Sequence, residues 1–399
     1  KVFFTIFLVS TFSHNSFADN ELIPLEHFAC YSNRNSFSIS PDGKHMLITN
    51  TMKDNVCDIM QDKSQSAEDA TYLSGLMLVD LETMESRTIS EGSANDSVRG
   101  AGWLSNDRMW YRPASKKGQG IKGQVVFAIN TDGTKRKMIR QSERYTDRFQ
   151  IYNYDYSDPE HVYEMNNQRR PFVYDYFKLN VFTGKRTLIA RGPDMRDMKG
   201  IATLGTSMHP DGMPMGVLLD EGIDRVLYEY SSDNKEWTEH FRYKCQEPGF
   251  VPIGTYDGKV VVSGSKFSPS GELLEENDTN AIYLYDHKKR EFSGKLYQDP
   301  RFDVGGLTGS CRQASGNSLS NSASNELSAI NYDTHNLEYL FFDKDSESTY
   351  VAIKSLFPED NVRIQTSNTD ATRMVVSVSG TNNPGEYFYV DINEGKVES

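Results

Sequence analysis

Leu76-Met77-Leu78-Val79-Asp80 is an apolar run that ends on a carboxylate and opens into a turn, and the chain repeats it. The same cadence ends Val126-Phe127-Ala128-Ile129-Asn130, Phe177-Lys178-Leu179-Asn180, Val226-Leu227-Tyr228-Glu229-Tyr230, Ile282-Tyr283-Leu284-Tyr285-Asp286, Leu340-Phe341-Phe342-Asp343 and Tyr387-Phe388-Tyr389-Val390-Asp391. The endings are 50, 50, 50, 56, 57 and 48 residues apart. A second signal, a turn that opens a strand, interleaves with them near Pro41, Asn106, Asp158, Pro210, Asp257, Gly316 and Thr369. A period near 50 residues with about four short strands per unit is the signature of a β-propeller, whose blades bury their faces against their neighbours. The expected fold is therefore all-β, a seven-bladed β-propeller. A pair of β-sandwiches would also be rich in short strands, but it does not explain evenly spaced hairpin endings.

Composition agrees. Of 399 residues, 37% are hydrophobic and 25% charged, with 22 Tyr and 21 Phe, which marks a globular chain whose broad aromatic rings fill the wedges between blades. Periodicity at helical spacing is almost absent; the one short candidate is Tyr350 to Leu356. Two polar stretches, Lys53 to Ala70 and Arg312 to Asn325, read as solvated loops. Lys and Arg total 43 against 56 Asp and Glu, a net charge of −13 whose field repels phosphate backbones, so nucleic acid is not an expected partner.

The front of the chain has its own logic. Lys1 precedes the apolar run Val2 to Val9, and Ser16-Phe17-Ala18 precedes Asp19, so residues 1–18 read as a secretory signal peptide cleaved after Ala18. Residue 1 is Lys, so the first residues of that signal are expected to precede it. Cleavage leaves 19–399 as the propeller domain, with net charge −14, no stable membrane span and a periplasmic or secreted location. Cys30, Cys57, Cys245 and Cys311 suit either two disulfides or buried free thiols; Cys30 with Cys57 is the easiest pairing to picture, on proximity alone. The acceptor patterns Asn95-Asp96-Ser97 and Asn277-Asp278-Thr279 matter only in a host that glycosylates them.

The residues that would carry chemistry are missing. A nucleophile elbow needs G-x-S-x-G, because its strained strand-to-helix turn tolerates only small neighbours. Gly205-Thr206-Ser207-Met208-His209 and Gly316-Asn317-Ser318-Leu319-Ser320 fail at the last position. Asp343-Lys344-Asp345-Ser346-Glu347 opens like a calcium loop but has Ser348 where Gly is needed and Lys354 in the twelfth place, so it reads as a solvated acidic turn. His161 and His209 read as structural, and no phosphate cradle is present. The expected sets of catalytic, cofactor-binding and metal-binding residues are all empty, and no cofactor is implied.

Three stretches resemble the N-terminal half of prolyl-oligopeptidase-family serine peptidases, in particular the acylaminoacyl-peptidase and dipeptidyl-aminopeptidase-like members. They are Ile23-Pro24-Leu25-Glu26-His27-Phe28 with Phe37-Ser38-Ile39-Ser40-Pro41-Asp42-Gly43-Lys44, then Ile330-Asn331-Tyr332-Asp333 leading through Phe341-Phe342-Asp343 to Pro358, and Pro384-Gly385-Glu386-Tyr387-Phe388-Tyr389-Val390-Asp391. The resemblance spans roughly residues 22–399 and implies a catalytically silent propeller that restricts access to short peptides. The catalytic serine, aspartate and histidine would then lie in an α/β-hydrolase domain that this sequence does not include, so no catalytic residue carries over. That missing hydrolase domain and a peptide substrate are the implied partners. Without its hydrolase domain the propeller is expected to expose an apolar ring face and to self-associate. The alternative is a stand-alone periplasmic propeller, similar to TolB, that binds a protein or peptide.

Overall fold

The computed structural model describes residues 34–52, 73–92, 97–113, 125–142, 147–154, 158–170, 173–193, 201–208, 214–221, 223–244, 248–268, 271–305, 317–320, 326–381, 383 and 385–399. The signal-peptide assignment and all four cysteines lie outside these residues. Blade 1 is β1 (Arg34–Ile39), β2 (His45–Met52), β3 (Leu73–Asp80) and β4 (Ser86–Ser90). Blade 2 is β5 (Val98–Ser105), β6 (Arg108–Pro113), β7 (Val125–Asn130) and β8 (Lys137–Gln141). Blade 3 is β9 (Phe149–Tyr154), β10 (His161–Arg170), β11 (Val173–Asn180) and β12 (Arg186–Ala190). Blade 4 is β13 (Ile201–Met208), β14 (Pro214–Glu221), β15 (Asp224–Ser231) and β16 (Glu236–Lys244).

Blade 5 is β17 (Phe250–Tyr256), β18 (Lys259–Gly264), β21 (Ala281–Asp286) and β22 (Glu291–Gln298), with the ribbon β19 (Lys266–Phe267) and β20 (Leu273–Glu275) inserted after its second strand. A three-stranded sheet follows, β23 (Asn317–Ser320), β24 (Leu327–Asp333) and β25 (Leu337–Phe341), and then helix α1 (Lys344–Lys354). Blade 6 is β26 (Asn361–Ser367), β27 (Arg373–Ser379), β28 (Glu386–Asp391) and β29 (Lys396–Glu398).

The repeat has a chemical cause. The Asp or Asn that ends the third strand bends the chain by accepting backbone N–H bonds from the turn, an Asx-turn. Asp80 Oδ1 accepts from Glu82 and Thr83 at 2.9 Å, Asn180 Oδ1 from Phe182 at 3.1 Å and Thr183 at 2.9 Å, and Asp286 Oδ1 from Lys288 and Lys289 at 3.1 Å. Four residues after each of these, and after Asp391, the backbone turns left-handed, at Met84, Gly184, Arg290 and Gly395 with φ of 58°, 76°, 58° and 63°. That residue stands one or two positions before the antiparallel fourth strand.

The count of seven is corrected by the structure: among the described residues six blades, not seven, are present, each of four strands. The exception is the unit that ends at Asp343. Its carboxylate also accepts a backbone bond, from Ser346 N–H at 2.7 Å, but here as the N-cap of α1. Asp345 and Glu347 in the first turn favour a helix start, and Tyr350 and Ile353 bury its inner face, so a helix stands where a fourth strand would begin. The acidic turn expected at Asp343 is thus the first turn of α1, and the helix starts six residues before the stretch expected at Tyr350. The polar stretch Arg312 to Asn325 is also corrected in part, since Asn317–Ser320 is a strand.

Contacts across sheet boundaries join the first strands, β1 to β5 and β26, and β13 to β17, which places those strands nearest the axis. Each boundary is filled by apolar side chains: Leu47, Leu76, Trp103 and Met109 between blades 1 and 2, and Leu104, Val126, Phe149 and Leu179 between blades 2 and 3. Tyr176, Tyr283, Tyr285 and Phe250 are among the largest fully buried side chains, so the aromatics do serve as core. Blade 6 meets blade 1 through Ile39, Met46, Val375 and Tyr389. Around that seam Ile39 N–H donates to Thr366 Oγ1 at 3.3 Å, Thr369 N–H to Pro41 O at 2.9 Å and Arg373 Nη1 to Gly43 O at 2.8 Å. Every blade draws its strands from one stretch of the chain, interrupted in blade 5 by the β19–β20 ribbon, so among the described residues no sheet combines the two ends.

Candidate functional site

In blades 1 to 5 the outer strand carries a β-bulge, where a residue is left without a partner in the ladder. In blades 1, 2 and 3 that residue is Ile89, Ile139 and Ile189, each nine positions after the Asx that ends the third strand. In blade 4 the bulge residue is His240, since Leu227 pairs with Phe241 and Tyr228 with Glu239. An imidazole therefore occupies a slot that isoleucine fills elsewhere, and it is only 4% exposed. A buried polar ring needs partners, and the boundary with blade 5 supplies them.

Glu229 on β15 and His240 on β16 come from blade 4; Tyr285, on β21, and His287, just after it, come from blade 5. His240 Nδ1 lies 3.2 Å from Glu229 Oε2, and its Nε2 is hydrogen-bonded to the Tyr285 hydroxyl. His287 Nδ1 approaches Glu229 Oε1 at 3.0 Å, with Arg290 Nη2 3.9 Å from Oε2. They line a cavity of about 20 Å³, room for one water, with Leu227 and Val260 on its apolar side. Burial works to raise the Glu229 carboxyl, but bonds from His240 and His287 outweigh it and hold the group down at about 2.

Hydroxyl, imidazole and carboxylate stand in the order of a nucleophilic triad. The hydroxyl, however, belongs to a phenol that is 2% exposed, packed against Phe250 and Phe292 with ring centroids at 6.1 and 5.0 Å. Burial first, and then the charge of Glu229, push the Tyr285 phenol well above its ordinary range, so the attacking phenolate is disfavoured. The arrangement can relay a proton and can latch two blades; it is not built to attack a substrate. Both Nδ1 atoms face one carboxylate, and among the described residues no group of three or more His, Cys, Asp or Glu is placed to hold a metal.

Glu229→Gln tests the latch. A carboxylate held below its unfolded value stabilises the fold above pH ~4.5, and that contribution disappears as pH falls toward ~2; the interval corresponds to about 3 kcal/mol. Urea titrations at a series of pH values should show the parent chain losing that stability on the acid side and the variant losing much less of it.

The other residues singled out in the sequence do not gather here. Ser207 lies within β13 and Ser318 within β23, neither at a strand-to-helix turn. His161 Nδ1 pairs with Asp158 at 3.0 Å, and Lys178 and His161 together hold that carboxyl at about 2. His209 and Asn95 lie outside the described residues. The amide of Asn277 is already engaged, its Nδ2 donating to Tyr283 Oη at 3.0 Å and its Oδ1 accepting from Lys295 Nζ at 3.1 Å. Among the described residues no helix is long and apolar enough to cross a membrane.

No protein-family profile and no curated protein matches this chain. Solved structures do. A prolyl endopeptidase, from a study of two such enzymes, aligns with a TM-score of 0.53 at 11% identity over 92% of this chain and 49% of its own. This is a β-propeller. The propeller domain of the Trilobed protease from Pyrococcus furiosus aligns with a TM-score of 0.48 at 10% identity, covering 93% of this propeller and 95% of that chain. TolB from Acinetobacter baumannii aligns at 0.38 and 12% identity, covering 82% and 77%. At such identities the likeness is one of fold. The propeller spans about half the length of the prolyl endopeptidase it matches.

Proposed function

We propose that this propeller is the non-catalytic module of an exported prolyl-oligopeptidase-type serine peptidase, where it caps an α/β-hydrolase domain and admits only short peptides. The observation that carries the reading is the alignment with a prolyl endopeptidase over nearly all of this chain and only half of the other. A ring of packed blades is suited to that role because it is a steric filter and also keeps bulk solvent from a reaction centre beneath it. Ser207 and Ser318 lie within strands, not at the strand-to-helix turn a nucleophile elbow needs, which agrees with that reading.

The test is the reading frame beyond the Ser399 codon. An uninterrupted frame encoding G-x-S-x-G supports the proposal; a stop codon at that point overturns it and favours a stand-alone scaffold of the TolB kind. Fluorophosphonate treatment of the chain is expected to label no serine in residues 19–399, and stoichiometric labelling of any of them would contradict a silent module.

A further inference from the structure

An acidic chain places two arginines on adjacent strands of blade 2, and among the described residues neither has a carboxylate partner. Arg99 is exposed at the start of β5, and Arg112 is half-buried at the end of β6. Val98 pairs with Pro113 and Gly100 with Arg112, so Arg99 is the extra residue of a bulge, a device that re-aims a side chain. Neither arginine makes an ion pair among the described residues. Arg112 donates from Nη2 to Phe149 O at 3.3 Å and stacks 5.3 Å from the Trp110 ring, while its Nε is buried without an acceptor. Burial shifts this guanidinium downward.

There is also room. Gly100 stands opposite Arg112, and among the described residues a Cβ at Gly100 would meet no atom within 4 Å. Paired residues share one face of a sheet, so this open space adjoins the Arg112 side chain. The start of β5, the end of β6 and Phe149 at the start of β9 come together, as the Arg112 to Phe149 bond shows, and β5 and β9 are the first strands of their blades. A buried guanidinium N–H without a partner is costly, and a planar carboxylate is the group whose two oxygens match a guanidinium fork. A net charge of −13 disfavours multiply charged anions, so a singly charged carboxylate fits this setting better than a phosphate.

We infer that Arg99 and Arg112 bind the carboxylate of a short peptide at this junction of blades 2 and 3. That the carboxylate belongs to a peptide rests on the proposed function; that the ligand is a carboxylate rests on the two arginines. Trp110 beneath Arg112 gives the readout. Fluorescence titration of the full chain with Ala-Ala-Ala should saturate, with the C-terminal amide of the same tripeptide binding at least ~10-fold more weakly. Arg99→Gln and Arg112→Gln should each weaken the free acid by ~10-fold or more. Equal binding of acid and amide, unchanged affinity in both variants, displacement of the tripeptide by equimolar inorganic phosphate, or no binding at millimolar tripeptide would each overturn the assignment. If circular dichroism shows Arg112→Gln unfolded, the exposed Arg99→Gln decides alone. If acetate competes as well as the tripeptide binds, the carboxylate site stands and its peptide specificity falls. A stop codon after Ser399 sinks the peptidase reading without touching this result.

Discussion

Arg140→Met should destabilise the chain by about 3–5 kcal/mol at neutral pH, because it strands a carboxylate inside the protein. Glu164, on the second strand of blade 3, has no solvent exposure, and Arg140, on the outer strand of blade 2, reaches its Oε1 at 3.1 Å across the boundary. Asn166 Nδ2 donates to the same oxygen at 2.7 Å, and Arg186 stands at 3.6 Å with a partly exposed side chain. Burial pushes the Glu164 carboxyl upward against the pull of Arg140, then Arg186 and Asn166. With Arg140 gone, the group is pushed higher still. A carboxyl raised above its unfolded value stabilises the folded state below that value and costs stability as pH rises through the raised one. The penalty of Arg140→Met should therefore shrink in acid. Denaturant titrations at pH 4 and 8 check this, and Glu164→Leu added to Arg140→Met should recover most of the loss. A constant penalty across pH, or no recovery in the double variant, would contradict the account.

Gly264→Ala should cost about 3–5 kcal/mol by a different route, backbone strain plus collision. Gly264 ends β18 at φ +135°, and a Cβ there would sit 2.1 Å from Gly249 O and 2.8 Å from Phe250 Cα. Both are main-chain atoms of the neighbouring segment, so the ladder itself must open. Gly258→Ala is the control: its φ is +65°, nothing lies within 4 Å of its Cβ position, and the strain alone should cost about 1–2 kcal/mol. Thermal melts of the two variants should separate steric from conformational cost.

The blades were legible in the sequence because one side chain does the same work each time. Asp80, Asn180, Asp286 and Asp391 end a strand and fasten a turn, and an interval near 50 follows from the length of a four-stranded meander. The error in counting has the same origin. Asp343 looks identical at the end of its apolar run, and its oxygen caps a helix by the geometry that elsewhere fastens a turn. The distinguishing signal lies downstream: left-handed residues such as Gly184 and Gly395 follow the other units, whereas Lys344-Asp345-Ser346-Glu347 continues into a helix. His240 carries no such mark in the sequence, because its unit ends on Tyr230-Ser231 rather than on an Asx; the strand register is what sets it against Ile89, Ile139 and Ile189. Arg112 and Glu164 carry no such mark, because their partners arrive from a different blade and the period says nothing about which polar groups a boundary encloses.

The seam between blades 6 and 1 also bears on how the molecule assembles. Blade ladders join strands at most 20 residues apart, but Arg373 to Gly43 and Thr366 to Ile39 span separations of 330 and 327 residues. Bringing such distant points together in an unfolded chain costs about 5 kcal/mol of closure entropy before any contact repays it, against about 2 kcal/mol for a hairpin of ten residues. Since among the described residues no sheet spans the seam, each meander there can form from its own hairpins without waiting for the far end of the chain. The order of events follows: blades first, from local contacts at low sequence separation, and closure of the circle last.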